Sequence, residues 1–205
     1  MRGSCRYIVD IEAATLDSAT GQLWLALEYH NAVVRFDPSG AVHARQPPEM
    51  QHWGVNKGAE AMVRLKDGRF ILFQETGGGL VFPGDPVIEV TPFAFEFEPR
   101  DGFQTSDVAP LPDGRLLILL RRLEMAFPPF DAQLAVADPS SLDSAGVVEV
   151  DFLADLTPGL PRENYEGLAV TPASDGTLDI WLVSDDNMAA FQRSLLVRLN
   201  WNPAL

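Results

Sequence analysis

One short unit recurs four times along this chain. Each copy contains an acidic residue, a short apolar strand, a turn with glycine, a strongly apolar second strand and a polar exit. The turn glycines, Gly21, Gly68, Gly114 and Gly176, are 47, 46 and 62 residues apart. Glycine between two apolar runs is typical of a β-hairpin, because it readily adopts the positive φ that such turns require. The apolar runs are too short for stable helices, so the repeat predicts paired strands.

The length of the period predicts the fold. Several strands in a unit of about 40 to 50 residues is the spacing of blades in a β-propeller. The second strand of each unit is apolar on both faces, as expected for a strand packed between neighbouring blades, whereas residues 194–201 alternate like an outer strand. A sandwich of about 15 short strands is the competing fold, and the repeated turn chemistry argues against it. We predict an all-β propeller of about four to five blades, in one domain spanning residues 1–205.

Charge and composition exclude several partners. The chain has 15 basic and 29 acidic residues, which give it a formal charge of -14. Such a surface repels a phosphate backbone, so we expect no nucleic-acid partner. No apolar run approaches the roughly 20 residues that span a bilayer, and no apolar leader follows Met1, so we expect neither a membrane segment nor a signal peptide in this chain. Its single cysteine, Cys5, excludes an intrachain disulfide and a cysteine-based zinc site. A surface with an excess of acidic residues favours the binding of cations.

Four acidic residues stand where the first strand of each unit begins: Glu12, Glu60, Asp107 and Glu166. In a propeller the first strands line the central channel, so we expect these carboxylates to converge at one mouth of it. Like charges that close cannot all stay ionised without a partner, and Ca²⁺ takes six to eight oxygen ligands. The pattern therefore predicts a calcium site. The alternative is that each acid caps a turn or accepts a neighbouring backbone N–H.

A second polar set follows the apolar second strands. Asp185, Asp186 and Asn187 offer three oxygen atoms in succession but lack the spacing of an EF-hand loop, so they form either a ligand set or a solvated turn. Arg193 can contact a bound phosphate or carboxylate, or simply pair with Asp185 or Asp186. Arg122 stands at the exit of the third unit. The chain has neither the Gly-x-Ser-x-Gly elbow of serine hydrolases nor a phosphate-binding P-loop.

Residues 164–170, 184–187 and 192–196 resemble the bacterial phytase-like family, whose domain is named for the esterase-like activity of phytase. Residues 113–115 and Arg122 also fit its pattern, whereas Ser194 stands where we expect threonine. The resemblance implies a six-bladed propeller, here without one or two N-terminal blades. It also implies a protein exported to the periplasm or beyond.

Two functions are compatible with this pattern. The first is a calcium-assisted hydrolase of phosphate or carboxylic esters, acting on a small anionic ester. Its metal would be held by the four strand-start acids, Arg122 or Arg193 would orient the anion, and Asp185 or Asp186 would activate water, with Glu166 required for turnover. The second is a non-catalytic propeller, a binding or scaffold module whose channel acids hold a structural ion.

Overall fold

A computed structural model describes residues 10–54, 57–75, 77–125, 127–143 and 146–203 of the protein. Cys5 lies outside these residues. By the contacts among its residues, the chain divides into two units, Met1–Phe95 and Glu96–Leu205. Among the described residues, none of the helices has the length and apolar composition of a membrane-spanning segment.

The first unit contains two antiparallel sheets in which every strand pairs with the next one along the chain. Blade 1 consists of β1 (Ile11–Asp17), β2 (Gln22–Leu27), β3 (Ala32–Phe36) and β4 (Val42–Arg45). Blade 2 consists of β5 (Ala59–Arg64), β6 (Phe70–Gln74), β7 (Gly79–Phe82) and β8 (Phe93–Phe95). A short 3-10 helix, Pro48–His52, lies between the two blades in sequence.

The second unit has the same order of strands. Blade 3 consists of β9 (Gln104–Pro110), β10 (Leu116–Leu123), β11 (Phe130–Ala137) and β12 (Val150–Asp155). Blade 4 consists of β13 (Asn164–Pro172), β14 (Leu178–Asp185) and β15 (Leu196–Trp201). The 3-10 helix Arg100–Gly102 precedes β9, and the 3-10 helix Pro139–Asp143 follows β11.

These up-and-down sheets confirm the predicted fold class, an all-β propeller. Among the described residues the strands form four sheets, within the predicted range of blades. The assignment of residues 1–205 to one domain stays a prediction.

The hairpin turns follow the predicted chemistry. Gly68, in the turn between β5 and β6, has a φ of 92°, and the backbone N–H of Arg69 donates to the carboxylate of Asp67 at 3.0 Å. The same arrangement recurs in blade 3 and blade 4. The turns therefore fix which residues of the first and second strands face each other.

The apolar second strands form the cores. In the first unit Trp24 of β2 is 2% exposed and meets Phe70 of β6 edge to face, with ring centroids 5.0 Å apart. In the second unit the first five residues of β10 are buried, and Leu119 belongs to the same cluster as Tyr165 of β13 and Leu182 of β14. Blades within a unit thus pack face to face, which holds the starts of their first strands in place.

Candidate functional site

A β-bulge interrupts the first strand of every blade near its start. In blade 1 the pairing shifts between Ile11 and Ala13, which leaves Glu12 as the extra residue. The equivalent shifts leave Glu60 in blade 2 and Glu166 in blade 4. A bulge re-aims the side chain of its extra residue and is frequent beside functional sites. Three of the four predicted acids therefore occupy equivalent positions in their respective blades.

Blade 3 differs from the predicted alignment by one residue. Its bulge lies between Thr105 and Asp107, so the extra residue is Ser106 rather than Asp107. Ser106 is 4% exposed, and its hydroxyl makes no hydrogen bond to the described residues. An alignment that matches acids to acids cannot detect this shift, because a bulge adds one residue without any sequence signature of its own.

Asp107 joins blade 3 to blade 4. One oxygen accepts the N–H of Val108 at 2.7 Å, and the other accepts the N–H of Leu168, in β13, also at 2.7 Å. Burial raises the pKa of Asp107 to about 7, although both backbone hydrogen bonds act in the opposite direction. Its contacts are those of an acid that binds neighbouring backbone amides, the alternative that the sequence left open. Its role as a metal ligand stays a prediction.

The raised pKa of Asp107 predicts a pH-dependent stability. The unfolded chain loses this proton near pH 3.8 and the folded chain near pH 7, so ionisation costs stability as the pH rises through this interval. We expect the wild type to lose about 2 kcal/mol of unfolding free energy relative to Asp107→Asn between about pH 5 and pH 8. Urea unfolding of both proteins across this range measures the difference. A difference that is constant with pH would contradict the shifted pKa.

An acidic cluster lies at the start of blade 1. One carboxylate oxygen from each of Asp10, Glu12 and Glu28 lies within 4.8 Å of the other two. The pairing of Ile11 with Leu27 brings the start of β1 beside the end of β2, and the N–H of Glu28 donates to the carbonyl of Asp10 at 3.0 Å. Asp10 and Glu12 are exposed, whereas Glu28 is 7% exposed. The sequence predicted only Glu12 as a ligand, because the other two converge through strand register.

Glu28 is held in a fixed environment. The N–H of Gly58 donates to its Oε1 at 3.2 Å. A Cβ on Gly58 would lie 2.7 Å from Cγ of Glu28 and 3.1 Å from Oδ1 of Asn31, so both groups press against this glycine. Asn31 is 8% exposed, donates from Nδ2 to the carbonyl of Trp53 at 2.9 Å, and has an Oδ1 without a hydrogen-bond partner among the described residues. The Glu28 side chain and the buried amide oxygen of Asn31 therefore flank the same glycine.

Three carboxylates at this separation repel one another, and a divalent cation relieves that repulsion. Carboxylate and amide oxygens are the ligands that Ca²⁺ prefers, so Asp10, Glu12, Glu28 and the Asn31 amide fit such an ion by their chemistry. Glu60 lies half-buried at the bulge of blade 2. Its role as a ligand stays a prediction.

Glu166 has an environment of a different kind. Arg121 donates to its Oε1 at 2.7 Å, and Asn164 donates to the same oxygen at 2.6 Å. Arg121 also donates to the side-chain oxygen of Asn164. Both donors meet one oxygen of Glu166, and no hydrogen bond from the described residues reaches its other oxygen. Glu166 is thus an oriented and exposed carboxylate.

Asp185, Asp186 and Asn187 form a turn at the end of β14. Asp185 accepts the N–H of Asn187 at 3.2 Å, and Asp186 accepts the N–H of Met188 at 2.9 Å and the hydroxyl of Ser194 at 3.2 Å. Asp185 pairs with Asn164, which places this turn at the same end of blade 4 as Glu166. The carboxylates hold the turn together, and their role in activating water stays a prediction.

Both predicted anion-binding arginines have acidic partners. Arg193 donates from Nε to Glu163 at 2.7 Å rather than pairing with either aspartate of the turn. Glu163 is 3% exposed and also accepts the backbone N–H of Arg193 at 3.1 Å, so it anchors this segment. No motif in the sequence singled out Glu163, which lies in a proline-rich connection ahead of β13.

Arg122 lies in a network centred on Asp131. It contacts Oδ2 of Asp131 at 3.1 Å and a carboxylate oxygen of Glu124 at 2.6 Å, and it stacks on Phe103 at 4.5 Å from the ring centroid. Arg162 binds the other oxygen of Asp131. Burial opposes ionisation of Asp131, yet the hydrogen bonds from the two arginines outweigh it and lower its pKa. Binding of a substrate anion by Arg122 would therefore compete with these acids.

Comparison with known proteins gives one family and several structures. The family model called phytase-like, with the description esterase-like activity of phytase, matches residues 5–188. No curated protein matches the sequence. Virginiamycin B lyase from Staphylococcus aureus is a similar solved structure, with 8% identity over 95% of this chain and 71% of that chain and a TM-score of 0.49. Regucalcin from Agrobacterium tumefaciens, titled a calcium-binding protein, has 13% identity over 93% and 59% of the two chains and a TM-score of 0.48.

Proposed function

The chain belongs to the phytase-like family, and on this basis we propose that it is a metal-assisted hydrolase of phosphate or carboxylic esters. The observation that carries the proposal is the cluster of Asp10, Glu12 and Glu28, whose carboxylate oxygens lie within 4.8 Å of one another. The proposed ion is Ca²⁺, because hard oxygen ligands surround the position.

The residues of blade 1 would hold the ion in a partly prepared site. Glu28 is buried and held by the N–H of Gly58, so its carboxylate loses little freedom on binding. Asp10 and Glu12 are exposed and keep the position open to solvent. A bound divalent cation supplies Lewis-acid polarisation of an ester or phosphoryl oxygen. It also supplies positive charge at the site of a chain whose net charge of -14 otherwise repels an anionic ester.

Glu166, predicted from the sequence as a metal ligand required for turnover, is proposed here as the water-activating group in place of Asp185 or Asp186. Arg121 and Asn164 orient it through one oxygen, which leaves the other without a hydrogen bond from the described residues. A carboxylate in this state can accept a proton from water as a general base. In contrast, Asp185 and Asp186 each use at least one carboxylate oxygen to accept a backbone N–H within their own turn.

Assays of ester hydrolysis with and without calcium test the proposal. We expect turnover of 4-nitrophenyl phosphate or 4-nitrophenyl butyrate that requires Ca²⁺ and is lost with a chelator. Glu28→Gln keeps the shape of the side chain and an acceptor for Gly58, so we expect a fold like the wild type but a fall in kcat/KM of about 100-fold or more. The exposed Glu89, outside the cluster, provides the matched control Glu89→Gln, which should stay within about twofold.

A calcium-binding scaffold is the second candidate. This candidate is favoured because Arg122 and Arg193 already pair with acidic residues of the chain, which would compete with a substrate anion for them. A thermal melt separates the two functions. Stabilisation by Ca²⁺ without turnover of either ester supports the scaffold, whereas the absence of any calcium effect on stability or turnover would overturn the metal site in both.

A further inference from the structure

A cavity of about 410 Å³ lies in the second unit, beside blade 3. Its walls come from the segment that follows β8, from β10 and β11, and from the chain entering and forming β12. None of the predicted metal-binding or catalytic residues lines it. Its volume lies within the range of roughly 300 to 1,000 Å³ that is typical of small-molecule sites.

The floor of the cavity is apolar. Leu120 and Ala135 are 5% and 3% exposed, and the strand register places them on one face of the blade 3 sheet. Phe97 and Val148, each 4% exposed, also line the cavity, and Phe152 is the exposed aromatic wall. Such a surface favours an aliphatic or aromatic group, since burial of apolar area contributes about 25 cal/mol per Å².

The rim of the cavity is acidic. Glu98, Glu149 and Asp151 are exposed and line it, and Arg100 is the basic residue among the lining side chains. Three carboxylates against one guanidinium give the rim an excess of negative charge. Because the whole chain is also strongly acidic, its field attracts cations and repels anions at this opening.

Two further groups suit a cation. Gln133 lies half-buried in the lining, and its amide forms no hydrogen bond within the described part of the chain, so its oxygen can accept from an N–H of a ligand. The ring of Phe152 can accept a cation on its face.

The walls are joined by backbone hydrogen bonds. The N–H of Glu96 donates to the carbonyl of Gly146 at 3.0 Å, and the N–H of Val148 donates to the carbonyl of Glu96 at 2.8 Å. This parallel bridge connects the segment after β8 to the segment before β12. The cavity is therefore formed before any ligand binds, which lowers the entropic cost of binding.

From this combination we infer that the blade 3 cavity binds an organic ammonium ion with an aryl or alkyl body. The apolar floor takes the body, and the acidic rim with Gln133 and Phe152 takes the charged nitrogen. The site is independent of the proposed ester hydrolysis, since it shares no residue with it.

Calorimetry with a matched pair of ligands tests this inference. 4-Phenylbutylamine and 4-phenylbutyrate share an aryl-alkyl body and differ in the sign of their charge. We expect the amine to bind at least about tenfold more tightly, and its affinity to fall as the salt concentration is raised. Equal affinities, or no heat with the amine at millimolar concentration, would overturn the inference.

Two variants place the binding in this cavity. The triple variant E98Q/E149Q/D151N removes the negative charge of the rim at exposed positions, and we expect it to weaken binding of the amine about fivefold or more. The control variant Glu89→Gln should leave the affinity unchanged. Ala135→Leu fills the apolar floor of the cavity, and we expect it to lower the affinity for the amine about tenfold or more. The melting curve of this variant confirms that it is folded. If the rim variant binds the amine as the wild type does, the assignment to this cavity is wrong.

Discussion

Gly79→Ala is expected to abolish the stable fold of blade 2. Gly79 begins β7, in the middle of the sheet, where it pairs with Phe73 and Phe95. A Cβ at this position would lie 1.9 Å from the carbonyl oxygen of Leu72 and 2.9 Å from the ring of Phe95. The carbonyl belongs to the backbone of a buried strand and cannot rotate away. We expect a loss of about 4 kcal/mol or more in unfolding free energy, or no cooperative transition at all.

Urea unfolding followed by circular dichroism measures this loss. Gly159→Ala is the matched control, because a Cβ there meets nothing within 4 Å. It should stay within about 0.5 kcal/mol of the wild type. If Gly79→Ala unfolds within about 1 kcal/mol of the wild type, the close packing of β7 against β6 is wrong.

Asp107→Ala is expected to cause the second large loss of stability. The substitution leaves the N–H groups of Val108 and Leu168 without their acceptor inside the second unit. Each unsatisfied donor costs about 1 to 3 kcal/mol, so the two donors together predict a loss of about 2 to 6 kcal/mol. Asp107→Asn keeps one acceptor oxygen and should fall between the wild type and the alanine variant.

The measurement belongs near pH 4, where Asp107 stays protonated in the folded chain and ionisation in the unfolded chain has cost little stability. The exposed Glu89 again gives the control, and Glu89→Ala should change the unfolding free energy by less than about 0.5 kcal/mol. An alanine variant at position 107 as stable as the wild type would show that these two hydrogen bonds contribute nothing.

The hairpins and the fold class could be predicted because their causes are local. Asp67 and Gly68 define a tight turn by their own backbone preferences, and the apolar run from residue 70 to 73 follows directly. When such a turn recurs at a regular period, each copy gives one pair of strands. The repeat therefore sufficed for an all-β propeller before any contact was known.

The candidate site could be predicted only in part, because it depends on register. Glu12, Glu60 and Glu166 share the bulge position, whereas the fourth place belongs to Ser106. Asp10 and Glu28 come together with Glu12 through the pairing of β1 with β2. A one-residue shift in a strand moves a side chain to the other face of the sheet. An alignment of acidic residues in the sequence alone therefore cannot determine which residue occupies the bulge.

The arginines show the same limit. Arg193 was predicted either to contact a bound anion or to pair with Asp185 or Asp186. In the structure its side chain pairs with Glu163, 30 residues earlier in the chain, and its contact with an anion stays a prediction. Arg122 pairs with Asp131 and Glu124. Charged residues of opposite sign pair with whatever partner the fold brings near, and the sequence alone does not rank the partners.

Calcium titration by calorimetry tests the central claim, the metal site of Asp10, Glu12 and Glu28, most directly. We expect the wild type to bind one Ca²⁺ at this cluster. Glu28→Gln should weaken that binding by about tenfold or more, because it removes the charge of the buried ligand, while Glu89→Gln should bind as the wild type does. No calcium heat in the wild type, or an unchanged affinity in Glu28→Gln, would contradict the account.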